Sequence, residues 1–276
     1  MVTAPKRLMN TSVPKAQFAW QALTMRGVAA FASATWGRLL LVQFIVALLA
    51  AGTVVWFLHK AWFPKIGEAI RQLPPQGELR SGTLDWQEAT PARLAEGRFL
   101  ALAVDLDHTG GARSPAHVQV EFGRADLKIF SLLGYVSGAY PRDRVVAFNR
   151  TELGPWWGAW APAILALVAG LVVVGLMVSW ACLATVYFLP AWLVGFFANR
   201  DLSLRGSWCL AGAALMPGAL FMCAAIVLYG CSALDLVRLT VAGAAHWVIG
   251  WVYLFLSPLC LPRHPAAAAA KANPFA

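Results

Sequence analysis

The chain has 276 residues, 59% of them hydrophobic and only 13% charged, against about 25% charged in average soluble proteins. Its formal charge of +9 is not spread evenly: residues 1–38 carry five bases and no acid, while residues 60–156 carry 12 bases against 11 acids. The excess therefore lies on short segments beside apolar runs, no basic groove interleaved with stacking aromatics is present, and the composition argues for a bilayer and against nucleic acid as partner.

Residues 1–38 read as a cytoplasmic N-terminal segment. Pro14 can open a helix in which Trp20, Leu23, Gly27 and Phe31 share a face, with Lys15 and Arg26 off it. Such a helix would lie on the inner leaflet, or the segment would be a partner-binding tail. A cleavable signal is not expected, because the apolar run starts only at Leu39 and is flanked by Trp56, Trp62 and Phe63, which suit an interfacial belt. Leu39–Leu58 contains no Asp, Glu, Lys, Arg or His before His59 and Lys60, so residues 39–59 are the first expected transmembrane helix.

Residues 60–156 change character and are expected outside the membrane. Pro64, Ile66, Ile70 and Leu73 predict a short helix ended by Pro74-Pro75. Phe99–Leu106 is apolar on both faces and predicts a central strand. Val118, Val120 and Phe122 alternate with Gln119 and Glu121, the pattern of a strand with one wet face. Gly123–Asp126 then forms a turn, Leu127–Ser131 returns as a hairpin arm, and Val145–Phe148 is the last expected strand. Phe99 and Val120 are expected core positions.

From Trp157 to Ala198 there are 42 residues without an Asp, Glu, Lys, Arg or His. As one helix they would measure about 63 Å, twice the hydrocarbon thickness. Four spans in total leave nine bases inside against Arg238 alone in the short outer loop, whereas five spans leave six inside and four outside. Four spans fit the positive-inside rule better. The second would be Trp160–Phe188, with 190–207 bent along the inner surface. The third would be Trp208–Tyr229, kinked at Pro217, and the fourth Leu239–Leu261, so that residues 157–262 hold helices two to four. Small residues (Gly212, Gly218, Gly243, Gly250) mark faces for close helix packing. Residues 263–276 are Ala-rich and Pro-punctuated, expected as a disordered cytoplasmic tail. All five cysteines lie in or beside the spans, so the external region has no disulfide framework and no zinc pattern.

The expected fold class is thus a membrane α-helical bundle of four transmembrane helices with an inserted extracytoplasmic antiparallel β-rich α+β domain. Within it, Gly77-Glu78-Leu79, ALAVDLD at 101–107 and VEFGRADLKI at 120–129 follow a recognisable pattern. In these short stretches, and in architecture over 39–260, the chain resembles uncharacterised bacterial polytopic membrane proteins, some labelled as maltodextrin-utilisation proteins. The resemblance brings no catalytic motif. Arg outnumbers Lys by 16 to 6, which with abundant Ala fits a GC-rich bacterium. The expected location is a bacterial cytoplasmic (inner) membrane, with both termini cytoplasmic and residues 60–156 extracytoplasmic.

Two polar features stand out. Asp105, Asp107 and His108 form a D-x-D-H group that could bind a hard cation or act as an acid–base pair. The competing reading is a turn, since DHTGG at 107–111 is loop chemistry, and an EF-hand would need Glu where Ala116 stands. His246 is the one ionisable residue deep in a span, either lining a path or bonding a neighbouring helix. Trp86, Tyr135 and Tyr140 are either a sugar-stacking platform or core. Asn149-Arg150-Thr151 reads as a chance sequon. No phosphate-binding loop, H-E-x-x-H or G-x-S-x-G occurs, and Ser137-Gly138 lies outside the spans.

No cofactor or metal is implied, and the expected partners are the lipid bilayer and a protein or envelope polymer at the external region. A non-enzymatic anchor or accessory protein is the first reading. A small transporter or channel accessory using His246 is the second, and a periplasmic-facing hydrolase using Asp105, Asp107 and His108 the third.

Overall fold

A long apolar run satisfies its backbone most simply by closing every hydrogen bond within a helix. The computed structural model of the chain describes residues 18–264 and shows this four times. Helices long and apolar enough to cross a membrane occupy Trp36–Gln72, Arg150–Phe197, Leu204–Gly230 and Leu236–Cys260. A β-rich region of two sheets lies between the first and second in the chain. The described residues group into two compact units, one taking 18–42, 180–218 and 248–264, the other 43–179 and 219–247.

In the first unit, helix α1 (Met25–Ala29) is flanked by 3-10 turns at Phe18–Leu23 and Ala30–Ser33. The single amphipathic helix expected here is therefore broken. The Thr24 hydroxyl starts α1 by accepting from the Gly27 N–H at 3.0 Å, and Val28 and Phe31 are buried against protein instead of facing lipid. The expected start of that helix at Pro14 and the tail beyond residue 264 lie outside the described residues. Helix α2 (Trp36–Ala61) begins in this unit and ends in the other, and α3 (Phe63–Gln72) follows it.

The second long helix, α4 (Arg150–Phe197), does not stop at Phe188. It runs on through Pro190 to Phe197, 48 residues in all, so the helix end expected at 190 is continuous with the helix before it, and residues 204–207 already belong to the next helix. Pro190 removes one helical donor, an interruption that lipid-embedded helices tolerate. At about 72 Å the helix exceeds a bilayer's thickness more than twofold. Protein covers little of it, and its buried residues are Trp180, Ala184, Ala191 and Gly195. At its start Asn149 is buried, accepts from the Glu152 N–H at 2.9 Å and donates to the Gly77 carbonyl at 3.2 Å. It is an N-cap, which answers the sequon.

Helix α5 (Leu204–Ala214) opens on Ser203, whose hydroxyl accepts from the Gly206 N–H, and most of its residues are buried. It breaks at Leu215 before α6 (Met216–Gly230), where Pro217 withholds an N–H. Helix α7 (Leu236–Leu256) ends in a 3-10 turn at Ser257–Cys260. Gly250 faces Leu215 closely, whereas a Cβ on Gly243 would meet open space, so only part of the small-residue stripe is used for packing.

In the second unit, β1 (Glu78–Arg80) pairs with β2 (Thr83–Asp85) and with a late strand. The larger sheet follows the chain order β3 (Ala92–Glu96), β4 (Leu100–Val104), β5 (Val118–Phe122), β6 (Asp126–Ser131) and β7 (Gly134–Ala139). The late strand β8 (Val146–Ala147) completes the small sheet. Antiparallel pairing was expected throughout, but β4 and β5 run parallel, Leu100 opposite Val118 and Val104 opposite Phe122. The 13 residues between them are long enough for the crossover that parallel strands need. The core gathers Ala69 of α3 and Leu73 just past its end with Leu79, Leu84, Leu94, Leu100, Leu102, Val104, Trp86, Tyr140 and Phe148. Val120 packs against it half-buried, while Phe99 does not join it. Trp86 and Tyr140 are core, but Tyr135 is exposed, so the three aromatics make no platform.

Candidate functional site

Strand β5 turns out opposite to the sequence expectation. Gln119 and Glu121, on the face expected to be wet, are 3% and 0% exposed, and the apolar Val118, Val120 and Phe122 are the half-covered ones. A fully buried carboxylate must be paired, and its partner comes from the crossover. The Asp105 carboxylate accepts from the Thr109 hydroxyl at 3.0 Å and the Gly110 N–H at 2.8 Å, which folds the chain after β4 into a tight turn. His108 sits in that turn with a left-handed backbone, φ 53°. This conformation turns its ring back over the sheet. Its Nδ1 is hydrogen-bonded to Glu121 at 2.5 Å and its Nε2 to Asp126 at 2.8 Å, so both nitrogens face carboxylates. A Cβ on Gly123 would overlap the same ring, so the glycine makes room for it.

The other atoms of this cluster are also used. Gln119 accepts from the Ser114 N–H at 2.9 Å and donates to the Ala112 carbonyl and to Glu121, both at 3.2 Å. Burial alone would depress the His108 pKa, but the bonds to Asp126 and Glu121 outweigh it and hold the imidazole above its ordinary value. Burial likewise opposes ionisation of Asp105, and the donors at Thr109 and Gly110 outweigh it and bring its pKa below the usual value. Burial raises the Tyr140 phenol, whose hydroxyl donates to the Gly123 carbonyl at 3.1 Å.

The D-x-D-H group is thus separated. Asp105 shapes the turn and His108 bridges two carboxylates, while Asp107 is exposed and meets only Arg124 at 3.4 Å. Both ring nitrogens of His108 are occupied, leaving none to take a proton from a substrate. Among the described residues no group of three or more His, Cys, Asp or Glu is arranged to hold a metal ion. His246 donates from Nδ1 to the Gly243 carbonyl of its own helix and lies against Trp247, with ring centroids 4.8 Å apart. The sequence reading missed Glu121, Asp126 and Gln119. The run VEFGRAD contained the signal, in acids placed five apart around a glycine turn.

A second polar assembly joins the β-rich region to helix ends. The Tyr229 hydroxyl of α6 and His117 Nδ1 share a hydrogen bond of 2.6 Å, with the rings stacked at 5.4 Å. Phe99 packs edge-on to Tyr229, His117 and Phe57 of α2. Arg98 donates to the Leu234 carbonyl at 3.2 Å and to that of Ser232 at 3.5 Å, in the link from α6 to α7. Burial and the nearby Arg98 charge push the His117 pKa down. Phe99 therefore serves the seat on the helices and not the β core.

A polar groove opens beside the small sheet. It has a volume of about 480 Å³ and is lined by Gln76, Glu78, Asp85, Gln87, Asn149 and Glu152 among others. The chain matches no family model, and neither a curated protein nor a solved structure shows significant similarity to it.

Proposed function

We propose that this chain is an integral protein of a bacterial cytoplasmic membrane, with both termini inside and residues 60–156 outside, acting as a non-enzymatic anchor whose β-rich region binds a protein partner or envelope polymer. The observation that carries the reading is the contrast between the two polar sites of that region. The His108 cluster spends its ring nitrogens and buried carboxylates on itself, whereas the groove at Gln76, Asp85, Gln87 and Glu152, beside a Glu78 ion-paired to Arg80 at 2.7 Å, presents acceptors and carboxylates to an outside ligand. Amides and carboxylates in a shallow cleft suit a hydroxyl-rich or cationic polymer. The proposed kinship with the maltodextrin-utilisation-labelled proteins rests on architecture and on the patterns at 77–79, 101–107 and 120–129.

Orientation is tested by labelling cysteine variants from outside the cell. Gly110→Cys should react, and Leu202→Cys and Ala270→Cys should not. Labelling of residue 270 from outside would overturn the orientation. Recognition is tested in cells with a photo-crosslinking residue at Gln87 or Gln76 of the full chain. An adduct sensitive to protease or to glycan-cleaving enzymes is expected, and an adduct-free groove would reject the reading. Flux lost on His246→Ala in proteoliposomes, or a hydrolytic activity lost on Asp105→Asn, would replace it by a transporter or a hydrolase.

A further inference from the structure

The β6–β7 hairpin leaves apolar side chains without protein cover. Leu133 at its tip is 93% exposed, and Tyr135 and Val136 follow at 62% and 72%. Strand β7 is exposed at every residue and forms the outer edge of the five-stranded sheet. Edge strands in water are usually blunted by charge or proline, yet Leu132–Ala139 contains neither.

The structure also fixes where this tip lies. Ser131 and Leu132 line a groove of about 430 Å³ whose other wall is Asp235, Leu236 and Val237, the entry to α7. Helix α7 has 21 residues, about 31 Å, one bilayer thickness. On the membrane reading above, its first turn lies at a bilayer surface, and the hairpin tip, beside that turn, lies at the same depth. Cations flank it as headgroup partners: the Arg113 guanidinium lies 3.6 Å from the centre of the Phe130 ring, and Lys128 faces Tyr135.

We propose that the Leu132–Leu133 tip inserts its side chains into the outer leaflet of the same bilayer, giving the β-rich region a lipid contact of its own. The inference rests on the membrane reading above. The backbone stays in the headgroup layer, because an open strand edge cannot enter hydrocarbon with its N–H and C=O groups unpaired. Only the leucines reach the acyl boundary, with Tyr135 at the level where amphipathic rings settle. Arg113 and Lys128 extend toward phosphate.

The test uses the full chain with its five native cysteines replaced, Leu133→Cys labelled with an environment-sensitive fluorophore, and reconstitution into phosphatidylcholine–phosphatidylglycerol vesicles. Shallow spin-labelled lipids should quench this site several-fold more than Arg142→Cys, an exposed position in the β-rich region, and its emission should be blue-shifted. Leu171→Cys on α4, quenched by deep spin labels, reports the membrane reading separately. If residue 171 is quenched while 133 behaves like 142, the insertion is wrong and the span stands. If residue 171 is not quenched, the membrane reading fails and the insertion with it. Disulfide-linked dimers through unlabelled Leu133→Cys, with no quenching, would show a second copy covering the tip and would also overturn the proposal.

Discussion

Two histidines of the β-rich region are held by opposite means. His108 lies between the carboxylates of Glu121 and Asp126, and its pKa is raised. His117 lies against the Tyr229 phenol with Arg98 nearby, and its pKa is lowered. The first sits between two acids that favour its protonated form and accompany a buried glutamate in the sheet. The second, beside Arg98, has its neutral form favoured and ties the region to a helix end through Tyr229. The contrast lies in what surrounds each ring: acids where the interior is closed, a cation and a phenol where the junction is made.

The largest effect should come from removing the carboxylate on which the first histidine depends. Glu121→Ala leaves His108 with one counter-charge and Gln119 short of an acceptor, and should cost about 3–5 kcal/mol in thermal unfolding of the full chain in nanodiscs. A cost below about 1 kcal/mol would mean the cluster is not a charged pair. Gly123→Ala attacks the same ring sterically. The new methyl overlaps an imidazole pinned on both sides, and about 1–3 kcal/mol of overpacking is expected.

At the junction, Tyr229→Phe removes one hydrogen bond and leaves the stacked rings in place. Its cost should be about 1 kcal/mol, read as faster amide exchange at residues 98–118 with little change in the core strands.

The two histidines should also respond to pH with opposite signs. A histidine with a raised folded pKa contributes stability below its unfolded value of about 6.5, and loses it as pH rises through the folded value. This is the case of His108, with Lys128 opposing the two acids. A histidine with a lowered pKa contributes above about 6.5 and loses that as pH falls through the folded value. This is the case of His117, with Arg98 lowering and Asp235 raising it. His108→Gln should therefore flatten the stability profile on the alkaline side, and His117→Gln on the acidic side. The same slope lost in both variants would dissolve the distinction.

The sequence made the long helices and strand β4 legible, because apolar residues on every face of Leu39–Leu58 or Phe99–Leu106 leave few alternatives. Strand β5 shows where that reasoning stops. Alternation tells which residues share a face, but which face is wet depends on what the fold lays over it. Gln119 and Glu121 read as water-facing because polar side chains usually are. The parallel β4–β5 pairing and the left-handed turn at His108, which cover them, depend on contacts remote in sequence. The ends of α4 were hidden for a related reason: a helix running on through Pro190 carries no stop signal that composition can show.

The smallest effect belongs to the one member of the D-x-D-H group that the fold leaves outside. Asp107 has a side chain 68% exposed, its one ion pair is to an Arg124 that is 60% exposed, and their separation of 3.4 Å is long. Water screens such a pair, and holding two mobile side chains together offsets most of the attraction. Asp107→Ala should therefore change stability by no more than about 0.5 kcal/mol. It should also leave the His108 titration, followed by NMR of the imidazole, where it was. Asp105→Ala is the informative counterpart, since it removes the acceptor of Thr109 and Gly110 and frees the turn that aims His108 at Glu121. A shift of the His108 titration in that variant, with none in Asp107→Ala, would place the group's role in shaping the turn. A folded Asp107→Ala chain that loses function in cells would instead return Asp107 to a site of its own.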